Sequence, residues 1–202
     1  MAKLKLQAEV LSALEHAELL NFSAAQRAVV STIKSGQNKW LIAPDLSPLR
    51  VAVAATIIHK LKQSHEDVAR ALILVQNSEI AEEYAQYFET LGKHTDLRVW
   101  MAYQGPQLLK QKEDIYFGAD VVIATPKRLN ELLNIEGFNS AAVQTLVLDA
   151  SDQLLKVGNI AFTQRISDSI PTKQRVSLST ENKGSTTVYM DQFAFPFSIE
   201  EF

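Results

Sequence analysis

The sequence predicts a three-layer α/β/α domain, with a mostly parallel sheet covered by helices on both faces. Three observations carry this expectation. Short runs of Val, Ile and Leu with no polar alternation recur along the chain, as strands buried on both faces require. Longer stretches with apolar residues at helical spacing lie between them, the arrangement of a chain that crosses back and forth over a parallel sheet. Only 7 glycines and 6 prolines occur in 202 residues, which implies short loops and one compact unit.

In order, LKLQAEVLSALEHAELL and AAQRAVVSTIKSG read as helices, giving an N-terminal helical segment over residues 1–36 and an α/β core over 37–202. Six strands follow: KWLIA, ALILV at 71–75, RVWMA at 98–102, VVIA at 121–124, TLVLD at 145–149 and RVSLS at 175–179. SEIAEEYAQYFETLG, PKRLNELLN and ASDQLLKVG read as helices between them, whereas the segment after RVWMA reads as a polar stretch. The tail FAFPFSIEEF is either a last strand on the sheet or an apolar segment that docks a partner.

Composition narrows the function classes. An apolar content of 47% with 21% charged residues is that of a soluble globular domain, and one domain of 1–202 is expected. A net charge of -3 offers no overall attraction to a polyanion, so nucleic-acid contact would need a local patch. The absence of cysteine excludes disulfides and thiolate metal sites. His16, His59, His65 and His94 lack metal-ligand spacing, so no metal site is expected. The N-terminus lacks the apolar core of a signal peptide and the longest apolar run, 51–58, is too short for a membrane span. A cytoplasmic location is the resulting expectation.

Function in such sheets gathers beyond the C-terminal ends of the strands. Those ends read APDLSPLR, QNSE, YQG, TPKR, DASD and STE. Taken with ADVVIATPKRLNELLN and VQTLVLDASDQLL, this series resembles, in order and approximate spacing, the motifs of the N-terminal RecA-like domain of DEAD-box RNA helicases. The resemblance extends over nearly the whole chain. It implies a RecA-like, P-loop NTPase-like fold, with ATP and magnesium as the family's cofactors and single-stranded RNA as its polymer. Gln26, after Phe22, Ser23, Ala24 and Ala25, fits the family's adenine-reading glutamine; the alternative is a residue on the helix surface.

Several positions depart from the family pattern. The Walker A loop falls on Ala43, Pro44, Asp45, Leu46, Ser47, Pro48, Leu49 and Arg50. Such loops work because glycines let backbone N–H groups converge on phosphate, while Lys neutralises charge and Ser/Thr ligates magnesium. Here Leu46 and Pro48 replace the glycines, Leu49 the lysine and Arg50 the threonine, and Asp45 adds negative charge. Each charge-assisted hydrogen bond lost costs about 1.5–3 kcal/mol, so loss of three lowers affinity by roughly a thousandfold or more. The same loop also reads as a plain strand-to-helix turn, with Ser47 or Asp45 as N-cap and Pro48 in the first turn.

The other catalytic positions agree. Asp149 matches the family's magnesium-serving aspartate and Asp152 its last acidic position, but Ala150 stands where the family has the water-activating glutamate. Ser179, Thr180 and Glu181 replace Ser-Ala-Thr, and the adenine-stacking aromatic falls on Leu19. Gln26, Asp45, Ser47 and Arg50 are therefore vestigial cofactor positions, and no ATP or magnesium is expected to bind. Arg50 is expected either to pair with Asp149, Asp152 or Glu181 or to point to solvent.

On the RNA side the resemblance implies contacts from Thr125, Lys127, Arg128 and Gly105. Pro126 also matches, and Lys127 adds charge where the family has glycine. Ser78, Gln76 and Gln104 remove an arginine, a proline and a glycine of the pattern. Alternatively, Thr125 is an N-cap and Lys127 and Arg128 are solvated helix charges. Three functions follow in order of expectation. The first is a non-hydrolysing, helicase-derived module that binds RNA weakly or binds a protein, the second is an ATP-dependent RNA helicase or half of one, and the third is a purely structural or regulatory interaction protein.

Overall fold

A computed structural model describes residues 4–156, 158–171 and 174–202. The parts of the expected N-terminal segment at 1–3 and of ASDQLLKVG at 157 lie outside the described residues. Helices α1 (Ala8–His16) and α2 (Ala24–Ser35) precede β1 (Lys39–Ile42), α3 (Ser47–Leu61), β2 (Ala71–Leu74), α4 (Ser78–Leu91) and β3 (Val99–Ala102). Then come α5 (Leu108–Tyr116), β4 (Val121–Ala124), α6 (Pro126–Asn134), β5 (Thr145–Leu148), α7 (Ser151–Leu154) and α8 (Ile160–Ser169). The last elements are β6 (Gln174–Ser179), α9 (Gly184–Ala194) and β7 (Ser198–Glu201).

The strands form one sheet in the order β3-β4-β2-β5-β6-β1-β7, and every pairing is parallel. Side chains alternate between two cores with the strand period of two. Leu41, Ile73, Ile123 and Val147 face a core closed by α1, α2, α3 and α4. Trp40, Leu72, Leu74, Val122, Leu146 and Leu148 face a second core closed by α5, α6, α8 and α9. Burial on both sides explains why β2 and β4 are apolar throughout and β5 is apolar after Thr145.

The structure corrects the element list in four places. The polar stretch after β3 contains α5, whose Gln111 and Ile115 turn inward from a largely charged helix. Helix α8 turns Thr163, Ile166 and Ser167 inward. Helix α9 buries Tyr189, Met190 and Phe193. The tail is resolved in favour of a strand, since β7 pairs with β1 from Lys39↔Ser198 to Ile42↔Glu201 and makes a seventh, edge strand.

This sheet order sorts the strand ends. Because all strands are parallel, their C-terminal ends share one rim, where β2, β5, β6 and β1 are neighbours and β3 and β4 form a separate edge. The opposite rim is braced by Asp120, whose side chain is fully buried. Its Oδ1 accepts from Arg70 Nη2 at 2.6 Å and from the His65 backbone N–H at 3.1 Å. Its Oδ2 accepts from both the backbone N–H and Nε of Arg98, each at 3.0 Å. Burial alone would raise this carboxyl's pKa, but the Arg98, Arg70 and His65 bonds outweigh it and hold it below the ordinary 3.8.

A depressed carboxylate pKa contributes stability above the unfolded-state value that is lost as pH falls through the folded-state value. Asp120→Ala leaves Arg70 without its carboxylate, and a cost of about 3–5 kcal/mol is expected. Urea unfolding at neutral pH will measure it. Between pH 6 and pH 3 the variant should lose less stability than the parent protein, because it lacks the group that titrates there.

Candidate functional site

The loop from β1 to α3 is closed by apolar anchors and by its own polar groups. Leu46 and Leu49 are buried in the α1–α4 core, Leu49 at 1% exposure. Asp45 Oδ1 accepts from the Ser47 N–H at 3.0 Å, and the Leu49 N–H donates to the Leu46 carbonyl at 2.9 Å. Pro48, the second residue of α3, has no N–H. Of the two N-cap candidates, neither is the N-cap residue itself. Leu46 holds that position without a side-chain bond, and Asp45 supplies the oxygen from one residue earlier.

Gln26 is not a helix-surface residue but is 8% exposed with its carboxamide engaged at both ends. Oε1 accepts from the Ser23 N–H at 2.8 Å, and Ser23 Oγ in turn accepts from the Gln26 N–H, a capping box at the start of α2. Nε2 donates to the Pro48 carbonyl at 2.8 Å, tying α2 to the loop. Leu19 packs against the adjoining core.

Arg50, in the first turn of α3, crosses to the end of β5. Its Nε donates to Asp149 Oδ2 at 2.9 Å and Nη2 lies 3.4 Å from Oδ1, while Nη1 donates to Glu83 Oε2 at 2.5 Å. Asp149 is fully buried and also accepts from Tyr84 Oη at 2.8 Å; Glu83 accepts from Ser47 Oγ at 3.1 Å. Arg50 therefore does not point to solvent. Burial opposes its charge, yet the Asp149 and Glu83 bonds outweigh burial and hold the guanidinium pKa above its ordinary value. Burial pushes the Asp149 carboxyl above 3.8 despite the pull of Arg50 and Tyr84, and burial with Asp149 beside it raises Tyr84.

Of the three carboxylates expected to meet Arg50, Asp149 does so. Asp152 instead accepts from the Thr180 N–H at 3.2 Å and from Thr180 Oγ1 at 3.0 Å, linking α7 to the end of β6. Glu181 pairs with Lys183. Glu83 and Tyr84 were not singled out by sequence; they lie in the middle of α4, which follows β2, and nothing in its run of acidic residues marks them. Ala150 is held in the left-handed region at φ 61°, with its methyl in the core, and brings no polar side-chain group to the rim. Among the described residues, no three His, Cys, Asp or Glu side chains cluster in a way that would hold a metal ion.

At the β3–β4 edge the expected RNA-contact residues Thr125 and Arg128 make bonds within the fold. Thr125 precedes α6 as its N-cap residue without a side-chain capping bond, and its Oγ1 donates to Gln104 Oε1 at 3.1 Å. Arg128 is 7% exposed. Its Nη1 donates to the Pro106 carbonyl and to Gln111 Oε1, both at 3.1 Å, and Nε lies 3.0 Å from Glu131 Oε2. It pins the 104–107 loop to α5 and α6 and is therefore not a solvated helix charge. Lys127 and Gly105 are exposed, Gly105 at φ 128°.

Fold and site together define a RecA-like α/β domain whose strand-end rim carries an internal ion-pair cluster. Residues 23–181 match the DEAD/DEAH box helicase family, and the chain belongs to that family. Among curated relatives, the DEAD-box ATP-dependent RNA helicase RhpA of Helicobacter pylori is 29% identical over 175 residues, 87% of this chain and 35% of that protein. The putative DEAD-box ATP-dependent RNA helicase 29 of Arabidopsis thaliana is 35% identical over 135 residues, 66% of this chain and 16% of that protein. The crystal structure of a DEAD box protein from Methanococcus jannaschii superposes with a TM-score of 0.91 at 21% identity, covering 98% of this chain and 55% of that one. A hypothetical ATP-dependent RNA helicase from Sulfolobus tokodaii gives a TM-score of 0.87 at 20% identity, over 98% and 57% of the two chains. The chain thus spans about a third or less of these curated relatives and about half of the similar solved structures.

Removing one partner of a buried pair strands the other. Arg50→Ala is expected to cost about 3–5 kcal/mol in urea unfolding. It should also raise the Asp149 pKa further, and a raised carboxyl contributes stability that is lost as pH rises through the folded-state value. The variant will therefore lose more stability than the parent between pH 5 and pH 8.

Proposed function

We propose that this domain is a non-hydrolysing member of the DEAD-box family that acts by binding, either weakly to single-stranded RNA or to a protein partner. The observation that carries this reading is the Arg50 guanidinium between Asp149 and Glu83, at the position where the family pattern has a magnesium ligand. A guanidinium there is a fixed positive charge among the carboxylates that a divalent cation would need. The residues around it do not suit a nucleotide. Asp45 occupies the Ser47 N–H that would face a phosphate, Pro48 has none, and Leu49 is buried where the pattern has a lysine. Gln26 has both ends of its carboxamide engaged within the fold, and Ala150 cannot activate water.

For RNA, the exposed Lys127 and Gly105 with Thr125 support residual backbone contact, while the inward Arg128 and the acidic start of α4 weaken it. The second reading, an ATP-dependent RNA helicase or half of one, is favoured by the names of the relatives and by the retained Asp149, Asp152 and Thr125. Under that reading Arg50 would have to leave Asp149 before a metal could approach.

Calorimetric titration with ATP and magnesium separates the two: no heat of binding at micromolar nucleotide is expected, and clear micromolar binding overturns the proposal. For the RNA branch, oligouridylate binding should weaken between about 50 and 200 mM salt, and Lys127→Ala should flatten that dependence by about one unit of slope. Absence of any salt-sensitive binding leaves the protein partner as the ligand.

A further inference from the structure

A cavity lies far from the Arg50 cluster, at the rim where β2 and β4 begin. It encloses about 450 Å³, within the range of ligand pockets. Val68, Ala69, Ile115 and Phe138 give it an apolar lining. At its mouth stand Tyr116 and Phe117, consecutive aromatics that are 76% and 78% exposed and packed edge to face with centroids 6.2 Å apart. Isolated exposed apolar residues are ordinary, but two adjacent rings beside a cavity form a surface that water solvates poorly.

The walls are preformed. Trp100 Nε1 donates to the Gly118 carbonyl at 2.9 Å, holding the turn that carries the rings. Gly118 lies at φ 120°, and a Cβ there would collide with the Arg98 guanidinium, so this turn packs directly on the Asp120 brace. Across the cavity, Lys112 Nζ donates to the Ile135 carbonyl at 2.6 Å and fixes the end of α6.

Charge around the mouth is uneven. Asp67 is paired with Arg98 at 2.6 Å, and the Lys112 ammonium is turned onto a carbonyl. Glu136, on the rim, and Glu113, one helical turn before Tyr116 and Phe117, are exposed and make no side-chain hydrogen bond or ion pair among the described residues. An unpaired carboxylate, Glu136, on the rim beside two exposed rings, with Glu113 one turn along α5, makes a place for a cation, because ring faces attract positive charge as carboxylates do.

We propose that this cavity is a docking site for a short segment of a partner protein that carries an arginine or lysine next to an apolar side chain. The apolar residue enters between Ile115 and Phe138, and the cation lies against Tyr116 or Phe117 and is held by Glu136 and Glu113. The site is separate from the strand-end rim of the proposed RNA contact, so both could be occupied at once. The partner class rests on the binding-module reading only for its role; the docking itself stands even if ATP binds.

Amide NMR spectra of the 202-residue protein titrated with N-acetyl-Trp-Arg-amide provide the test. Millimolar probe is expected to shift the amides of Phe117, Gly118, Gly137 and Phe138, and N-acetyl-Trp-Glu-amide at equal concentration to shift them less than a third as far. Tyr116→Ser with Phe117→Ser, both at exposed positions, should abolish the shifts while the spectrum stays dispersed. Glu136→Lys should equalise the two probes. No localised shift with the arginine probe, or equal shifts with both probes in the parent protein, overturns the proposal. So does oligouridylate moving the same amides, which would assign the surface to RNA.

Discussion

A carboxylate buried at the end of a strand must have a cation, and in this domain the cation is built into the chain. Asp149 is fixed by β5 at a depth where an unpaired negative charge would be costly. The surrounding loop is shaped by bringing Arg50 to it. Leu46 and Leu49 set the start of α3 by inserting into the core, the Asp45 carboxylate closes the first N–H of the helix, and Arg50 then leaves the first turn aimed at β5. Glu83 and Tyr84 complete the shell from α4, so three elements converge on one charge pair. A glycine-rich loop presents bare N–H groups to a ligand; here the Ser47 and Leu49 N–H groups bond within the loop.

The parallel sheet explains why the two halves of the rim differ in character. Ends of β1, β2, β5 and β6 are contiguous, and their polar groups bond to one another across strands: Arg50 with Asp149, Asp152 with Thr180, Trp40 with Ser179. The β3 and β4 ends lie at an edge, where Arg128 has been drawn under the 104–107 loop and Lys127 alone of the pair faces solvent. The inward arginine meets a carbonyl, a carboxamide and a carboxylate in a nearly dry setting, and withdrawing it to reach a phosphate would leave those groups unmatched.

What could be read from the sequence depended on whether local pattern or tertiary contact decided the outcome. Strands β2 and β4 were legible because burial on both faces forces continuous apolar runs, and Asp149 against Arg50 was legible because both stand at strand-end positions. Helix α5 was not legible, since LLKQKEDIY sends only a narrow stripe inward and its charges dominate the composition. The burial of Gln26 was not legible for a similar reason: a glutamine near a helix start gives no hint that a proline carbonyl 22 residues on will take its amide. Glu83 belongs to a helix whose acidic residues look alike in sequence, and only the reach of Arg50 distinguishes it from Glu82. Arg128 read as a surface charge because its partners, Pro106 and Gln111, come from a loop and a helix that the sequence did not define.

The two rims also show that the fold does not depend on the β1–α3 loop. Cohesion of the sheet rests on interdigitated strand side chains in two cores and on the Asp120 brace at the far end, none of which includes residues 43–50 apart from Ala43, Leu46 and Leu49. Those three are apolar and add to the core. A ligand that binds only the native state stabilises it in proportion to occupancy. On the reading proposed above, no nucleotide supplies that term, and the Arg50 pair supplies a constant one that does not vary with any concentration. If Arg50 stands in for the metal as proposed, the rim loses a means of coupling its shape to nucleotide, and such a domain would signal through what docks on it.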